Sequence, residues 1–304
     1  ESTWGVSRRD LPQRERLKLA AATQIFTDEQ MAAFLCDRGV QHQRLDAGLC
    51  DPACGVGHLL VQALRALRVH RPTVPVEDLL QLLFGLDIDP FAVKLCRAIL
   101  AAEAVRLGAS GVQDALAVVR ERVSSIDAPF GSLDRGSACA LTRRSYGCVL
   151  ANPPYLGRRK LTAETRAFLD REYPDCALDL CAAFVQRSLE LRAPGGFLGL
   201  VTHDKWLRLK GYRALRNGGA AFGGIYRDVA VDAICELGKR AFDRRLGLHD
   251  GLGVVLLTAR KERPSPRHEL LLLSLADLTD NDEKSERLAA LRRSEEHTSE
   301  LQSH

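Results

Sequence analysis

What this sequence lacks narrows its reading first. It has no apolar run long enough to cross a bilayer and no signal-peptide pattern, so the chain reads as soluble and intracellular. Its one glycine-rich turn, DPACGVGHLL, is not a GxGxxG, and no GK[ST] follows it, which excludes a Walker-type phosphate loop. Two close cysteine pairs occur, Cys50/Cys54 and Cys176/Cys181, but neither has a second CxxC or a histidine at zinc spacing. The nine cysteines therefore read as reduced, buried small hydrophobes, and no metal is expected. Charge of one sign is scarce too: a net +4 is too mild to announce a nucleic-acid binder by itself. Internal repeats and low-complexity tracts are absent.

What is there is ordinary globular composition. At 304 residues, 46% hydrophobic and 27% charged, the chain has length for one large α/β domain and an extension. It opens at Glu1 and closes on RSEEHTSELQSH, residues 293 to 304. Those twelve residues resemble the in-frame translation of a sequencing-library adapter and are set aside as a tag would be. The expected organisation follows. Residues 1–45 form an N-terminal helical segment, and 46–262 an α/β catalytic domain. Residues 263–292 form a linker leading into a further C-terminal region past Arg292.

Thr27 is a fair helix N-cap, with Gln30 at capping-box distance, ahead of the apolar face Met31–Leu35. From there strand and helix alternate. AGLCD ends a short strand, and HLLVQALRALRV sets Leu60, Ala63, Leu64 and Leu67 on one helical face. LFGLDID is a second strand. The next helix has Pro90 in its first turn and Gly108 as its stop. VSSID is a weak third strand and GCVLAN a fourth. LDLCAAFVQRSLELRAPGG reads as a helix closed by Pro-Gly-Gly, with FLGLVT as the fifth strand. DGLGVVLLTARK and HELLLLSL read as late strands. This rhythm predicts a Rossmann-like, doubly wound, mostly parallel sheet.

Three constellations carry the chemistry. In DPACGVGHLL, Gly55 and Gly57 allow a tight turn and a close approach of ligand to backbone, and the carboxylate of Asp51 suits a cation such as an ammonium. In GLDIDP, period-two alternation puts Asp87 and Asp89 on one side and Ile88 on the other. Asp87 reads as an acceptor for ribose hydroxyls and Asp89, before Pro90, as a helix cap. In CVLANPPYLG, two prolines end a buried strand and hold Asn152 and Tyr155 on a stiff loop.

Together these motifs resemble those of the class I S-adenosylmethionine-dependent DNA adenine-N6 methyltransferases. DPACGVGHLL is similar to their motif I, LDIDPFAV to motif II and NPPY to the catalytic motif IV. TQIFTDEQMAAFL is similar to motif X, with Thr23 or Gln24 in place of a glycine and Asp28 in place of a proline. The motif order resembles the gamma class, and the large methylases of type IIG restriction–modification and BREX phage-defence systems within it. The resemblance implies a seven-stranded sheet and S-adenosylmethionine as cofactor. It implies double-stranded DNA as partner, with base flipping, and restriction or defence subunits as further partners. It also implies a bacterial or archaeal cytoplasm. It assigns the cofactor to Thr27, Asp51, Pro52, Ala53, Cys54, Gly55, Gly57, Asp87, Ile88 and, after the third strand, Asp127, with Asp134 as a rival. It assigns catalysis to Asn152, Pro153, Pro154 and Tyr155.

The chemistry explains the NPPY loop. An adenine N6 lone pair is delocalised into the ring. Rigid acceptors, the Asn152 side-chain carbonyl and the Pro153 backbone carbonyl, would draw its hydrogens toward tetrahedral geometry and stabilise the charge that develops as a methyl group arrives. Tyr155 would offer a ring face to a base flipped out of the duplex. Arg158, Arg159 and Lys160 follow the loop directly, and Lys205, Arg208 and Lys210 lie beyond the fifth strand; all six are candidates for DNA phosphates. Two other substrates pose the same problem, a protein glutamine amide and an RNA adenine.

Overall fold

A computed structural model describes residues 27–41, 45–239, 241, 253–260, 268–278 and 280–302, with residues 293–302 described by their backbone helix alone. Its strands are β1 Leu49–Asp51, β2 Leu83–Asp87, β3 Val123–Ser125, β4 Tyr146–Ala151, β5 Arg192–His203, β6 Ala230–Gly238, β7 Val254–Arg260 and β8 Leu271–Ser274. They form one sheet in the order β3-β2-β1-β4-β5-β7-β6-β8. Only the pairings of β7 with β5 and β6 are antiparallel. The expected mostly parallel, doubly wound α/β fold is present. It has eight described strands rather than seven, because β8 adds a parallel edge beside β6.

Both faces of the sheet are covered. On one lie α1 Glu29–Val40, α2 His58–His70, α3 Val76–Gln81, α4 Pro90–Arg106, α5 Val112–Arg122 and α8 Asn281–Gln302. On the other lie α6 Ala163–Glu172 and α7 Leu180–Leu191. The central strands show why their sequences are continuously apolar. All six residues of β4 are buried. Cys148 and Leu150 join one core and Val149 and Ala151 the other, as the period-two pleat demands.

Three expectations about elements are corrected. The Pro-Gly-Gly run does not close α7. The helix ends at Leu191, and β5 begins at Arg192 and runs through Pro194, Gly195 and Gly196. The β4–β5 register jumps there, from Tyr146↔Arg192 to Cys148↔Phe197, so the three residues sit in a bulge that lacks ladder bonds, where a proline does no harm. The N-cap of α1 is Asp28, whose carboxylate accepts from the amides of Gln30 and Met31, and Thr27 is released for another task. In residues 263–292, expected as a linker or the start of a C-terminal region, β8 falls within HELLLLSL as read, and the first half of α8 is a helix that was not foreseen. There the buried Lys284 ammonium donates to the carbonyls of Leu237 and Lys239. The expected charged helix before Thr27, and Thr23 and Gln24 of the motif X-like stretch, lie outside the described residues. Among the described residues no helix is long and apolar enough to cross a membrane.

The sheet order reverses direction between β1 and β4. Connections from β1 run outward to β2 and β3, and those from β4 run outward to β5. A crevice at the carboxyl ends of two such strands is where open α/β sheets take ligands. Asp51 closes β1, and Asn152 follows β4.

Candidate active site

A cavity opens at that switch point. Its floor is the turn after β1: Asp51, Pro52, Ala53, Cys54, Gly55 and Val56 all line it. Gly55 adopts φ +52°, and a Cβ added there would meet no atom within 4 Å, so its backbone faces open space. Gly57 does something else. At φ +95° its missing Cβ leaves room for Cys96 Sγ, which a Cβ would approach to 2.6 Å. It lets α2 pack closely on α4 and does not line the cavity. The first glycine presents backbone to the cavity, while the second packs helices.

Two carboxylates stand at the strand ends. Asp51 is 2% exposed, and its Oδ1 accepts the amide of Ala53 at 3.0 Å. Burial pushes its pKa up to about 8. The Ala53 amide works against that, and the charge of Asp87 adds to it. Asp87 is itself raised, by burial first; the amides of Asp89 and Gly55, at 2.9 and 2.7 Å on its two oxygens, oppose the shift. It thus ties the end of β2 to the turn after β1. Asp87 lines the cavity as well. Asp89 caps α4 through the Phe91 amide, at 2.8 Å.

Asn152 reaches the cavity from the end of β4. Its Nδ2 donates to Thr27 Oγ1 at 3.1 Å, and its Oδ1 accepts from the Tyr155 hydroxyl at 2.8 Å. Those two hydroxyls hold the amide between them. Pro154 and Thr27 also line the cavity, whereas Pro153 is buried and Tyr155 is half-buried beside the Asn152 carbonyl. Burial raises the Tyr155 phenol well above its ordinary value, so the hydroxyl stays protonated and able to donate.

The remaining wall comes from Ile88, Phe130, Gly131, Ser132, Leu133 and Phe184. Asp127 is exposed and does not line the cavity. The chain leaves β3 at Ser125, and the turn at Gly131–Leu133 takes the wall position instead. That turn is braced. Ser132 Oγ donates to the Pro52 carbonyl at 2.5 Å, and the buried Arg187 Nε donates to the Ser132 carbonyl at 2.9 Å. Phe130 stacks on Phe168 with ring centroids 3.8 Å apart. Sequence reasoning missed Phe130, Ser132, Leu133 and Phe184. No local pattern separates Phe184 from a helix-core phenylalanine, because only tertiary packing turns it to the cavity.

The basic candidates divide. Arg158 forks onto both oxygens of Asp170, at 2.8 Å each, and onto the Ala177 carbonyl. Arg208 is paired with Glu236. Both brace the fold, as a guanidinium fork near a carboxylate does. Arg159, Lys160, Lys205 and Lys210 are exposed.

The sheet order, with one antiparallel strand and a cavity over its switch point, is the architecture of class I S-adenosylmethionine-dependent methyltransferases. A Listeria monocytogenes protein described as such an enzyme superposes with TM-score 0.55 at 15% identity, covering 94% of this chain and 78% of its own. The DNA-bound type ISP restriction–modification enzyme LlaBIII superposes with TM-score 0.63 at 13% identity over 87% of this chain and 20% of its own. Residues 81–221 match the model of the Eco57I restriction-modification methylase family. The adenine-specific methyltransferase BrxX of Escherichia coli O9:H4 (strain HS) is 32% identical over 102 residues, 34% of this chain and 8% of BrxX. The chain thus matches less than a tenth of that relative's length.

The cofactor of this fold class is S-adenosylmethionine, and the cavity fits it on its own features. The Gly55 backbone faces space a Cβ would fill, the carboxylates of Asp51 and Asp87 line the cavity as acceptors, and Ile88 and Phe184 give it an apolar wall.

Proposed function

We propose that this chain is the catalytic part of a DNA adenine-N6 methyltransferase of a restriction–modification or phage-defence system, acting in a bacterial or archaeal cytoplasm. The carrying observation is the Asn152 amide, oriented from both sides and set at the mouth of the cavity formed by Asp51, Gly55 and Asp87. The Eco57I match and the similarity to BrxX support DNA over a protein or RNA substrate.

Each residue then has a task. Asp51 accepts the ammonium of the cofactor's methionine end, and Asp87 its ribose hydroxyls. Ile88 and Phe184 hold its adenine. The bound cofactor supplies an electrophilic methyl group on a sulfonium, a good leaving group. Asn152 lines the cavity, and its Oδ1 accepts an N–H of the target amine. The Pro153 carbonyl accepts the other. Both stabilise positive charge on nitrogen as it develops, and the two prolines keep them from reorganising. A strong base is not needed, because the proton can leave after transfer. Arg159, Lys160, Lys205 and Lys210 serve DNA phosphates.

The test is methyl transfer from labelled cofactor to unmethylated genomic DNA by the full-length protein, with the product nucleosides separated. Label in N6-methyladenine is expected. Label confined to protein or RNA would replace the reading. Phe184→Ala is expected to weaken cofactor binding about tenfold by calorimetry, since a stacked ring face is worth roughly 1–3 kcal/mol. Unchanged affinity would remove Phe184 from the adenine wall.

A further inference from the structure

We propose that a buried cluster, Asp179, His203 and Tyr212, is a positioning device that fixes the NPPY loop for methyl transfer. This rests on the catalytic reading of that loop. Asp179 is 3% exposed, and both its oxygens are used. Oδ1 accepts the amide of Ala182 at 2.7 Å and caps α7. Oδ2 bonds His203 Nε2 at 2.8 Å and accepts the Tyr212 hydroxyl. His203 and Tyr212 are buried as well.

The cluster joins three pieces of chain at the point where the loop leaves the site. The Asp179 backbone forms an antiparallel bridge with Gly157, two residues past Tyr155. The Arg158 amide donates to the Leu178 carbonyl at 3.0 Å, and the Leu180 amide to the Leu156 carbonyl at 3.1 Å. His203 ends β5, and Tyr212 closes the short 3-10 turn Lys210–Tyr212 within the basic stretch that follows. The His203 ring lies against both tyrosines, with its centroid 6.2 Å from Tyr155 and 5.4 Å, edge-on, from Tyr212. One carboxylate therefore orients the imidazole that backs the NPPY tyrosine, and its own backbone pins the loop exit.

Packing alone does not account for it. Burial works to raise the Asp179 carboxyl, yet the hydrogen bonds of His203, the Tyr212 hydroxyl and the Ala182 amide hold it below the ordinary range. An apolar cluster of the same shape would stabilise the fold at least as well. A hydrogen-bonded carboxylate instead fixes directions. Among the described residues His203 Nδ1 is buried without a hydrogen-bond partner, so the ring takes its orientation from the Nε2 bond. Rate at a preorganised site is sensitive to such directions, since a displacement of about 1 Å can cost about a hundredfold.

The experiment compares Tyr212→Phe, His203→Ala and His203→Gln in the full-length protein, beside Asn152→Ala. Expected for Tyr212→Phe and His203→Ala is a kcat lowered about 10–100-fold, with KM for S-adenosylmethionine within about twofold. His203→Gln, which keeps a donor toward Asp179, restores most of the rate. Amide exchange over residues 156–160 quickens in the two weak variants, and that of β7 does not. If His203→Ala does not fold, Tyr212→Phe, which removes one hydroxyl, carries the test. An inactive Asn152→Ala with Tyr212→Phe and His203→Ala at wild-type kcat would overturn the positioning role alone. An active Asn152→Ala would overturn the catalytic reading of the loop itself. The donor atoms of Asp179, Cys181 and His203 lie within 4.8 Å of one another, so one tightly bound zinc per chain would also overturn it, by making the cluster a ligand set.

Discussion

Asn152→Ala is expected to lower the single-turnover rate of methyl transfer to DNA about 10²–10³-fold, the scale on which one preorganised polar group at a reacting centre acts. Cofactor affinity should stay within about twofold. The asymmetry follows from where the amide sits. The substitution removes its bonds to Thr27 and Tyr155 but leaves the turn Asp51–Val56, Asp87 and Ile88 lining the cavity as before. What is lost is the acceptor for the target amine, which matters only as charge develops on nitrogen. Asn152→Asp separates the parts. It keeps an acceptor for the Tyr155 hydroxyl and for the amine but loses the donor to Thr27, and its rate should fall between the other two. A rate for Asn152→Ala within threefold of wild type would end the proposed role of Asn152.

Much of the fold could be read from local chemistry. β1, β2 and β4 are buried on both faces, so their apolar runs are continuous, and each ends at a carboxylate or an amide. β6 escaped notice. Its AVDAICELG carries Asp232 and Glu236, which are paired to Arg260 and Arg208, and its register against β7 shifts twice. A bulged strand with satisfied charges has no clean period to detect. The Pro-Gly-Gly of β5 misled because a proline normally excludes a strand, and only the register jump shows the bulge that admits it. The site divided the same way. Asp51, Gly55, Asp87 and Asn152 sit in short motifs with a local reason for each residue. Phe184, Ser132 and the Asp179–His203–Tyr212 cluster depend on contacts 24 to 80 residues apart in sequence. No local spacing encodes such contacts. Gly55 and Gly57 looked equivalent in sequence, and only the Cys96 thiol behind the second tells them apart.

The pH dependence of cofactor binding should be steep and should vanish with one substitution. Burial pushes the Asp51 carboxyl up to about 8, far above its ordinary value. Between about pH 4 and 8 the folded chain therefore holds a proton there that the unfolded chain has released. That proton contributes stability that is fully present below the unfolded pKa and is lost as pH rises through about 8. Binding a cationic ammonium requires the ionised form, so it expels the proton. Affinity for S-adenosylmethionine should then rise up to about tenfold per pH unit from pH 6, and level near pH 7.7–8.0, where an α-amino group begins to lose its own proton. Calorimetry in buffers of different ionisation enthalpy should register close to one proton released per cofactor bound at pH 7. Asp51→Asn has no proton to release. Its affinity should be weak and nearly flat from pH 6 to 7.5, and its melting temperature should lose the decline that the wild type shows over the same range. A wild-type affinity independent of pH, with no proton released, would place the ammonium away from Asp51. The glycine turn and Asp87 would then have to hold the cofactor without it.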